Sequence, residues 1–307
     1  MSPNITSKSW LMVVILGIVW GGTFLFIELA LEGITPFWLA AARISFAAVL
    51  LALTWRIRGG QLWQTSERAW GPMIIVGALS SAIPFMALSW GQQHVTSGFA
   101  GIAMACIPLM VLPLAHFFAV GERLNLQKLI GFAIGFVGVM ILIGTQALES
   151  NGNAMEIWGR LACLSAAACY ACSSILTRRL PAVDPVGLAT VLISIGAIIV
   201  IPVAWVVEGP PPMPDGKTLT ILAFLGLVPT AAANLLRVLV IRSAGSTFMS
   251  LTNYIVPVNS VVLGAVFLHE PLPGQLIWAL LLILSGMGLS QYATLKTLFT
   301  RTPPAKG

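Results

Sequence analysis

Residues 97–124 read SGFAGIAMACIPLMVLPLAHFFAVGERL, and residues 246–272 read STFMSLTNYIVPVNSVVLGAVFLHEPL. Each stretch opens on a small hydroxylated residue and reaches a phenylalanine, Phe99 or Phe248. Each then runs through apolar residues to a proline, Pro108 or Pro257, and through a second apolar run to a lone glutamate, Glu122 or Glu270. An apolar segment with matching glycines follows each copy, Gly138 in LIGFAIGFVGVMILIG and Gly286 in LIWALLLILSGMGLS. The chain therefore reads as a duplication, residues 1–150 and 151–307. Its repeat is far longer than the roughly 20–50 residues of a solenoid.

Of the 307 residues, 58% are hydrophobic and 8% are charged, whereas soluble domains carry roughly 25% charged residues. A membrane β-barrel would show alternating segments of about ten residues, but the apolar runs here are continuous. A helix needs about 20 apolar residues to cross a bilayer. On that ruler there are ten spans, near residues 10–31, 37–56, 70–92, 97–119, 127–147, 158–179, 186–207, 218–241, 246–268 and 274–295. The expected fold is an all-α polytopic membrane protein. Trp10 to Leu31 is too long for a signal peptide and lacks a small-residue cleavage site.

The basic residues explain the net charge of +6. Lys and Arg accumulate in short cytoplasmic loops. With the N-terminus inside, twelve fall on the cytoplasmic side (Lys8, Arg56, Arg58, Arg68, Arg123, Lys128, Arg178, Arg179, Arg242, Lys296, Arg301 and Lys306) and two outside, Arg160 and Lys217. Arg43 and Arg237 lie within spans. The positive charge is thus an insertion signal and no nucleic-acid stripe. Both termini are expected in the cytoplasm. Five spans per half is an odd number, so the second half enters the membrane inverted. Inverted repeats around a central cavity are a plan of secondary transporters, with substrate held near the bilayer midplane.

No sequence of the form GxxxxGK[ST] cradles a nucleotide phosphate, and neither GxSxG nor HExxH occurs; His269-Glu270-Pro271 lacks the second histidine. The cysteines (Cys106, Cys163, Cys169, Cys172) fall inside apolar runs, and Cys169-Tyr-Ala-Cys172 lacks the βαβ context of a redox motif. His94 and His116 have no metal-site spacing. No catalytic residue, metal or cofactor is expected, and a membrane-embedded enzyme is the out-of-class alternative.

Ionisable and polar groups inside spans are functional candidates. Glu28 and Arg43 approach the same side of the first hairpin and form a candidate gate or coupling pair. Asn234 and Arg237 are three apart and share a helical face; Asn253 flanks Pro257. Trp20, Phe24, Phe85, Tyr170 and Tyr254 are the deep aromatics and suggest an apolar pocket. Pro84, Pro108, Pro229 and Pro257 interrupt spans and are candidate hinges. Gly131, Gly135 and Gly138 suit close helix packing, which assigns the fifth and tenth spans to support. A central cavity is expected among the first four spans of each half, lined by Trp20, Phe24, Phe85, Tyr170, Asn234, Arg237, Asn253 and Tyr254.

Trp20-Gly21-Gly22-Thr23, the AAARISFAAVLL stretch around Arg43 and the duplicated 97–124 block resemble the drug/metabolite transporter superfamily, EamA-type exporters, over residues 10–295. The chain looks closest to the YddG-like amino-acid exporters. The resemblance implies a ten-helix bacterial inner-membrane exporter of small metabolites. Neutral and aromatic amino acids lead, with nucleosides, sugars and organic cations as alternatives. The small multidrug members of the superfamily use a carboxylate deep in their first span; Gly17 to Thr23 contains none. The partners expected are a small-molecule substrate and the lipid bilayer, with one chain acting as a monomer.

Overall fold

The computed structural model describes residues 5–118, 125–147 and 155–300; Glu122 and the junction near residue 150 lie outside these. Ten helices are long and apolar enough to cross a membrane: α1 Ser7–Leu31, α2 Pro36–Ile57, α3 Trp70–Gly91, α4 Ser97–Phe118, α5 Leu126–Ala147, α6 Glu156–Thr177, α7 Pro185–Glu208, α8 Gly216–Ala244, α9 Ser246–Phe267 and α10 Gly274–Thr300. No strand occurs among the described residues; a single β-bridge joins Trp63 to Val183. The ten spans read from hydropathy match these helices to within a few residues.

The two halves are interleaved. Neighbouring pairs run α1–α9, α9–α4, α4–α6, α6–α3, α3–α7, α7–α2, α2–α8 and α8–α1, which closes a ring of eight helices. The α5–α10 pair packs outside that ring, against α4 and α9. Exchanging the first half for the second maps every pair in the ring onto another, so the fold is two inverted five-helix units related by a pseudo-twofold axis. An offset of 149 residues relates Phe99 to Phe248 and Pro108 to Pro257, and equally Ser81 to Thr230 and Arg43 to Leu192.

Lipid gives helices no hydrophobic reason to associate, so close backbone approach supplies the attraction. The α5–α10 pair shows this most clearly. A Cβ on Gly131 would stand 2.6 Å from the Gly286 carbonyl oxygen and from the Ser290 nitrogen, and one on Gly138 would stand 2.9 Å from Ile283 and 3.0 Å from the Ala279 oxygen. As expected, these glycines let two backbones touch.

The end of the bundle bearing the N-terminus is called the N-face here, and the opposite end the far face. Carboxylates tie helices together at the far face. Glu208, ending α7, accepts from the Phe37 and Trp38 amides at 2.9 and 3.1 Å and from the Thr35 hydroxyl at 2.6 Å, at the start of α2. Glu270, after α9, accepts from the Ser97 and Gly98 amides at 2.7 and 3.0 Å, at the start of α4. The first amides of a helix lack internal partners and carry partial positive charge, so both carboxylates satisfy and stabilise them. His269 takes the left-handed conformation (φ 53°), which turns the chain so that Glu270 points back at α4. Residues 97–103 are buried all round.

Inserting bulk at the α5–α10 contact tests this packing. Gly131→Leu is expected to cost about 1–3 kcal/mol through overpacking, read as a fall in Tm in detergent. Gly71→Leu, where nothing lies within 4 Å of the added carbon, should stay within about 0.5 kcal/mol.

Candidate functional site

The site is built around an irregular turn of α8. Residues Gly226–Ala232 form a π-helical turn that contains Pro229. A proline has no N–H, so the carbonyl four residues earlier, that of Leu225, loses its helical donor. In a π-turn the donor comes from five residues on, which is the Thr230 amide, and the Thr230 hydroxyl also donates to the Leu225 carbonyl, at 2.8 Å. That leaves the Thr230 oxygen as an acceptor, and Arg43 Nε from α2 donates to it at 2.8 Å. The Pro229 carbonyl accepts from Trp20 Nε1 of α1 at 3.0 Å, and the Thr230 carbonyl accepts from Asn234 Nδ2 at 2.5 Å.

The Arg43 guanidinium lies over the Phe85 ring, 4.3 Å from its centroid, a cation–π contact of about 0.5–2 kcal/mol. It is also within electrostatic range of the Tyr170 hydroxyl. Arg43 is 7% exposed. Among the described residues no carboxylate pairs with it and its terminal nitrogens make no hydrogen bond. Tyr170 packs against both large apolar clusters, and Trp20 packs against the α1–α8–α9 cluster and the α4–α6 one. Trp20, Arg43, Phe85, Tyr170 and Asn234, separated in sequence, thus meet around one turn of one helix.

The wall of α8 that carries Asn234 faces the ring interior. This helix packs on α1 through Ala233, Val240 and Ala244, and on α2 and α7 through Ala231 and Leu235. Leu239, 55% exposed, marks its outer side. Asn234 and Arg237 fall between the two packed edges, opposite Leu239. Arg237 is exposed there, toward the N-face, and forms no ion pair among the described residues.

Other expectations are corrected or relocated. Glu28 and Arg43 make no ion pair: Arg43 turns along the membrane onto Thr230 and Phe85, while Glu28 stays with Gln92 at the far face. Tyr254 does not line the interior. It lines a groove with Ile255, Val258, Asn259 and Val262, and a Cβ added to Gly288 of α10 would stand 4.0 Å from its ring. Phe24 is buried between α1 and α4, against Gly101, and Asn253 is half-buried. Arg160, counted as an outer-loop charge, is 1% exposed within α6, where it bonds Glu156 and, at 3.0 Å, the Ile143 carbonyl.

The four prolines do mark irregular backbone. Pro84 follows a π-turn at Ala78–Ala82, Pro108 follows a break at Cys106, Pro229 lies in its own π-turn, and Pro257 lies six residues after a break at Leu251. Sequence reading missed Thr230 and Gln92. Two signals for Thr230 were present: it directly follows an intramembrane proline, and it is the repeat equivalent of Ser81. Ser81 donates to the Gly77 and Leu192 carbonyls at 2.7 and 2.8 Å. The two halves therefore make the same α3–α7 and α8–α2 contact, once through the Leu192 backbone and once through the Arg43 side chain.

The sequence profile described as the EamA-like transporter family matches residues 7–144 and 157–291. The "uncharacterized transporter YoaV" of Bacillus subtilis is 23% identical over 288 residues, covering 93% of this chain and 97% of that protein. The "uncharacterized inner membrane transporter YedA" of Escherichia coli K12 is 25% identical over 280 residues, 88% of each chain. A solved crystal structure with 20% identity superposes with a TM-score of 0.66 over 95% of this chain and 99% of that one, which shows a shared fold.

Thr230 is the test of the network. Thr230→Val removes both the acceptor of Arg43 and the donor to Leu225, and should cost about 1–3 kcal/mol in thermal unfolding without substrate. Thr230→Ser keeps the hydroxyl and should recover most of that loss.

Proposed function

We propose that this chain, which belongs to the EamA-like transporter family, exports amino acids by alternating access and holds them between Arg43 and Asn234. The supporting observation is the buried Arg43 guanidinium, which has no carboxylate partner among the described residues. A buried charge without a counter-ion is costly, and a carboxylate fits the guanidinium fork with two parallel hydrogen bonds. Asn234 spends its N–H on Thr230, which leaves its amide oxygen to accept from an ammonium. Carboxylate and ammonium together are the signature of an amino acid. Phe85, Tyr170 and Trp20 supply an apolar wall suited to aromatic and other neutral side chains.

The same arrangement disfavours organic cations, which Arg43 repels. The excess of Lys and Arg at the N-face orients that side to the cytoplasm, and the bacterial inner membrane is the proposed location. Arg237, exposed toward the N-face, draws the anionic end of a substrate inward from the cytoplasm. The turns at Pro84 and Pro229 and the breaks near Pro108 and Pro257 are where the ring flexes, since freed carbonyls at membrane depth exchange partners more readily than a regular helix does. One chain contains both five-helix units and is the proposed transport unit.

The reading is checked by efflux of labelled amino acids from proteoliposomes. Neutral and aromatic amino acids should leave faster than their amides, which keep the ammonium but lack the carboxylate. Arg43→Gln should cut that flux at least about tenfold, the equivalent of 1.4 kcal/mol. Trp20→Ala should lower it without preventing insertion. Equal transport of acids and amides would remove Arg43 from the site, and flux of nucleosides or sugars alone would replace the substrate class.

A further inference from the structure

The connections at the N-face carry a cluster of arginines that the transport site leaves unused. Residues 58–69, between α2 and α3, pair with residues 180–184, between α6 and α7. Trp63 bridges to Val183, the Gln64 amide donates to the Ala182 carbonyl at 2.9 Å, and the Asp184 amide donates to the Leu62 carbonyl at 2.8 Å. Leu62 is buried, and a Cβ added to Gly187, in the first turn of α7, would stand 3.2 Å from its side chain. Trp55 Nε1 donates to the Gln61 carbonyl at 3.1 Å. The two connections thus form one ordered platform against the start of α7.

Arg56, Arg58 and Arg68 are exposed on one connection, and Arg178 and Arg179 are exposed where α6 runs into the other. Arg58 and Arg68 each lie four residues from the paired positions 62–64, and Arg179 lies three from Ala182. Among the described residues Arg56, Arg58 and Arg68 form no ion pair. Asp184 is engaged with the Gly187 amide at 2.8 Å and lies 3.8 Å from Arg242.

Two features of the cluster identify its partner. The first is residue type. Lys and Arg serve equally as insertion signals, yet at the N-face they are segregated. Lys8, Lys128 and Lys296 belong to α1, α5 and α10, whereas the described basic residues around the platform are all Arg. A guanidinium fork meets phosphate oxygens with paired hydrogen bonds, and a lysine ammonium acts as a point charge. The second feature is position. Ile57, 78% exposed, continues the outward stripe of Val49 and Leu53 on α2, and Trp70, 48% exposed, begins that of Ile74 on α3. Trp63 packs edge-on against Trp70 with centroids 5.5 Å apart. Interfacial indoles sit at headgroup level, so the arginines stand at the lipid rim of the bundle.

The inverted half makes the same architecture with the opposite charge. At the far face the α1–α2 and α7–α8 connections are tied by Glu208 and by Trp38 Nε1, which donates to the Gly209 carbonyl at 3.1 Å. The charged residues there are Glu32, Glu208, Asp215 and Lys217, with Lys217 held 3.0 Å from Glu32. Joining two connections therefore does not itself require arginine.

We propose that the N-face platform binds the phosphate headgroup of an anionic phospholipid. Arg56, Arg58 and Arg68 hold it from one connection and Arg178 and Arg179 from the other, with Trp63 and Trp70 beside its glycerol and upper acyl chains. Basic clusters next to spans attract anionic headgroups over about a Debye length. The site does not depend on which substrate the ring interior carries.

The test is native mass spectrometry of the full chain in neutral detergent, titrated with phosphatidylglycerol or phosphatidylcholine. The wild type should hold phosphatidylglycerol at least about tenfold more tightly than phosphatidylcholine. Arg56→Gln, Arg58→Gln and Arg68→Gln combined should weaken phosphatidylglycerol by at least about tenfold. Lys8→Gln, Lys128→Gln and Lys296→Gln combined remove the same charge from the same face and should leave that binding in place. If the glutamine variant fails to insert, Arg56→Lys, Arg58→Lys and Arg68→Lys combined keep the insertion signal and should still weaken phosphatidylglycerol by about threefold or more, through loss of the fork. Equal losses in the arginine and lysine sets would reduce the site to diffuse surface charge and overturn the proposal. Full affinity in the arginine-to-lysine variant, or inorganic phosphate binding as tightly as phosphatidylglycerol, would overturn it too.

Discussion

Every polar atom at membrane depth has to find its partner within the protein, because lipid offers none. In this chain that constraint is sharpest at Pro229, which denies the Leu225 carbonyl its helical donor. The repair comes from the amide and hydroxyl one residue further on, and the hydroxyl oxygen holds Arg43. The broken turn also turns the Pro229 carbonyl toward Trp20. A buried cation, an indole and an amide thus meet at one irregular turn.

The pseudo-twofold arrangement makes this more informative. Ser81 and Thr230 are repeat equivalents, and so are Leu192 and Arg43. One half answers the contact with a main-chain carbonyl and the other with a guanidinium. Arg43 in place of the leucine of the other half puts one cation beside α8 that the other half lacks. The far face uses the same chemistry differently: Glu208 and Glu270 spend their charge on the first amides of α2 and α4 and lock helices together. Glu28 stands beside the Gln92 amide.

The membrane class, the ten helices, the duplication and the odd number of spans per half were legible because each is a property of runs of residues. Glycine spacing likewise announced the α5–α10 contact, since a backbone can approach closely only where side chains are absent. Individual partners were harder to read. Glu28 and Arg43 lie close in the hairpin by sequence ruler, yet a long guanidinium side chain reaches a full turn along the membrane, and Thr230 and Phe85 reward the opposite direction. Tyr254 shows the same limit: which way a residue faces depends on where the neighbouring helices stand.

Hydropathy, charge placement and repetition in the sequence by themselves determined that this chain threads a bilayer ten times as two inverted units, because those quantities are sums over many residues and tolerate local error. Only the tertiary structure decided that the halves interleave into a ring, that the turn at Pro229 collects Trp20, Arg43 and Asn234, and that Glu28 meets Gln92 instead of Arg43. Those outcomes rest on single hydrogen bonds between residues as far as 209 positions apart. The direction of one side chain is set by the partner that satisfies it, and no local pattern encodes that partner.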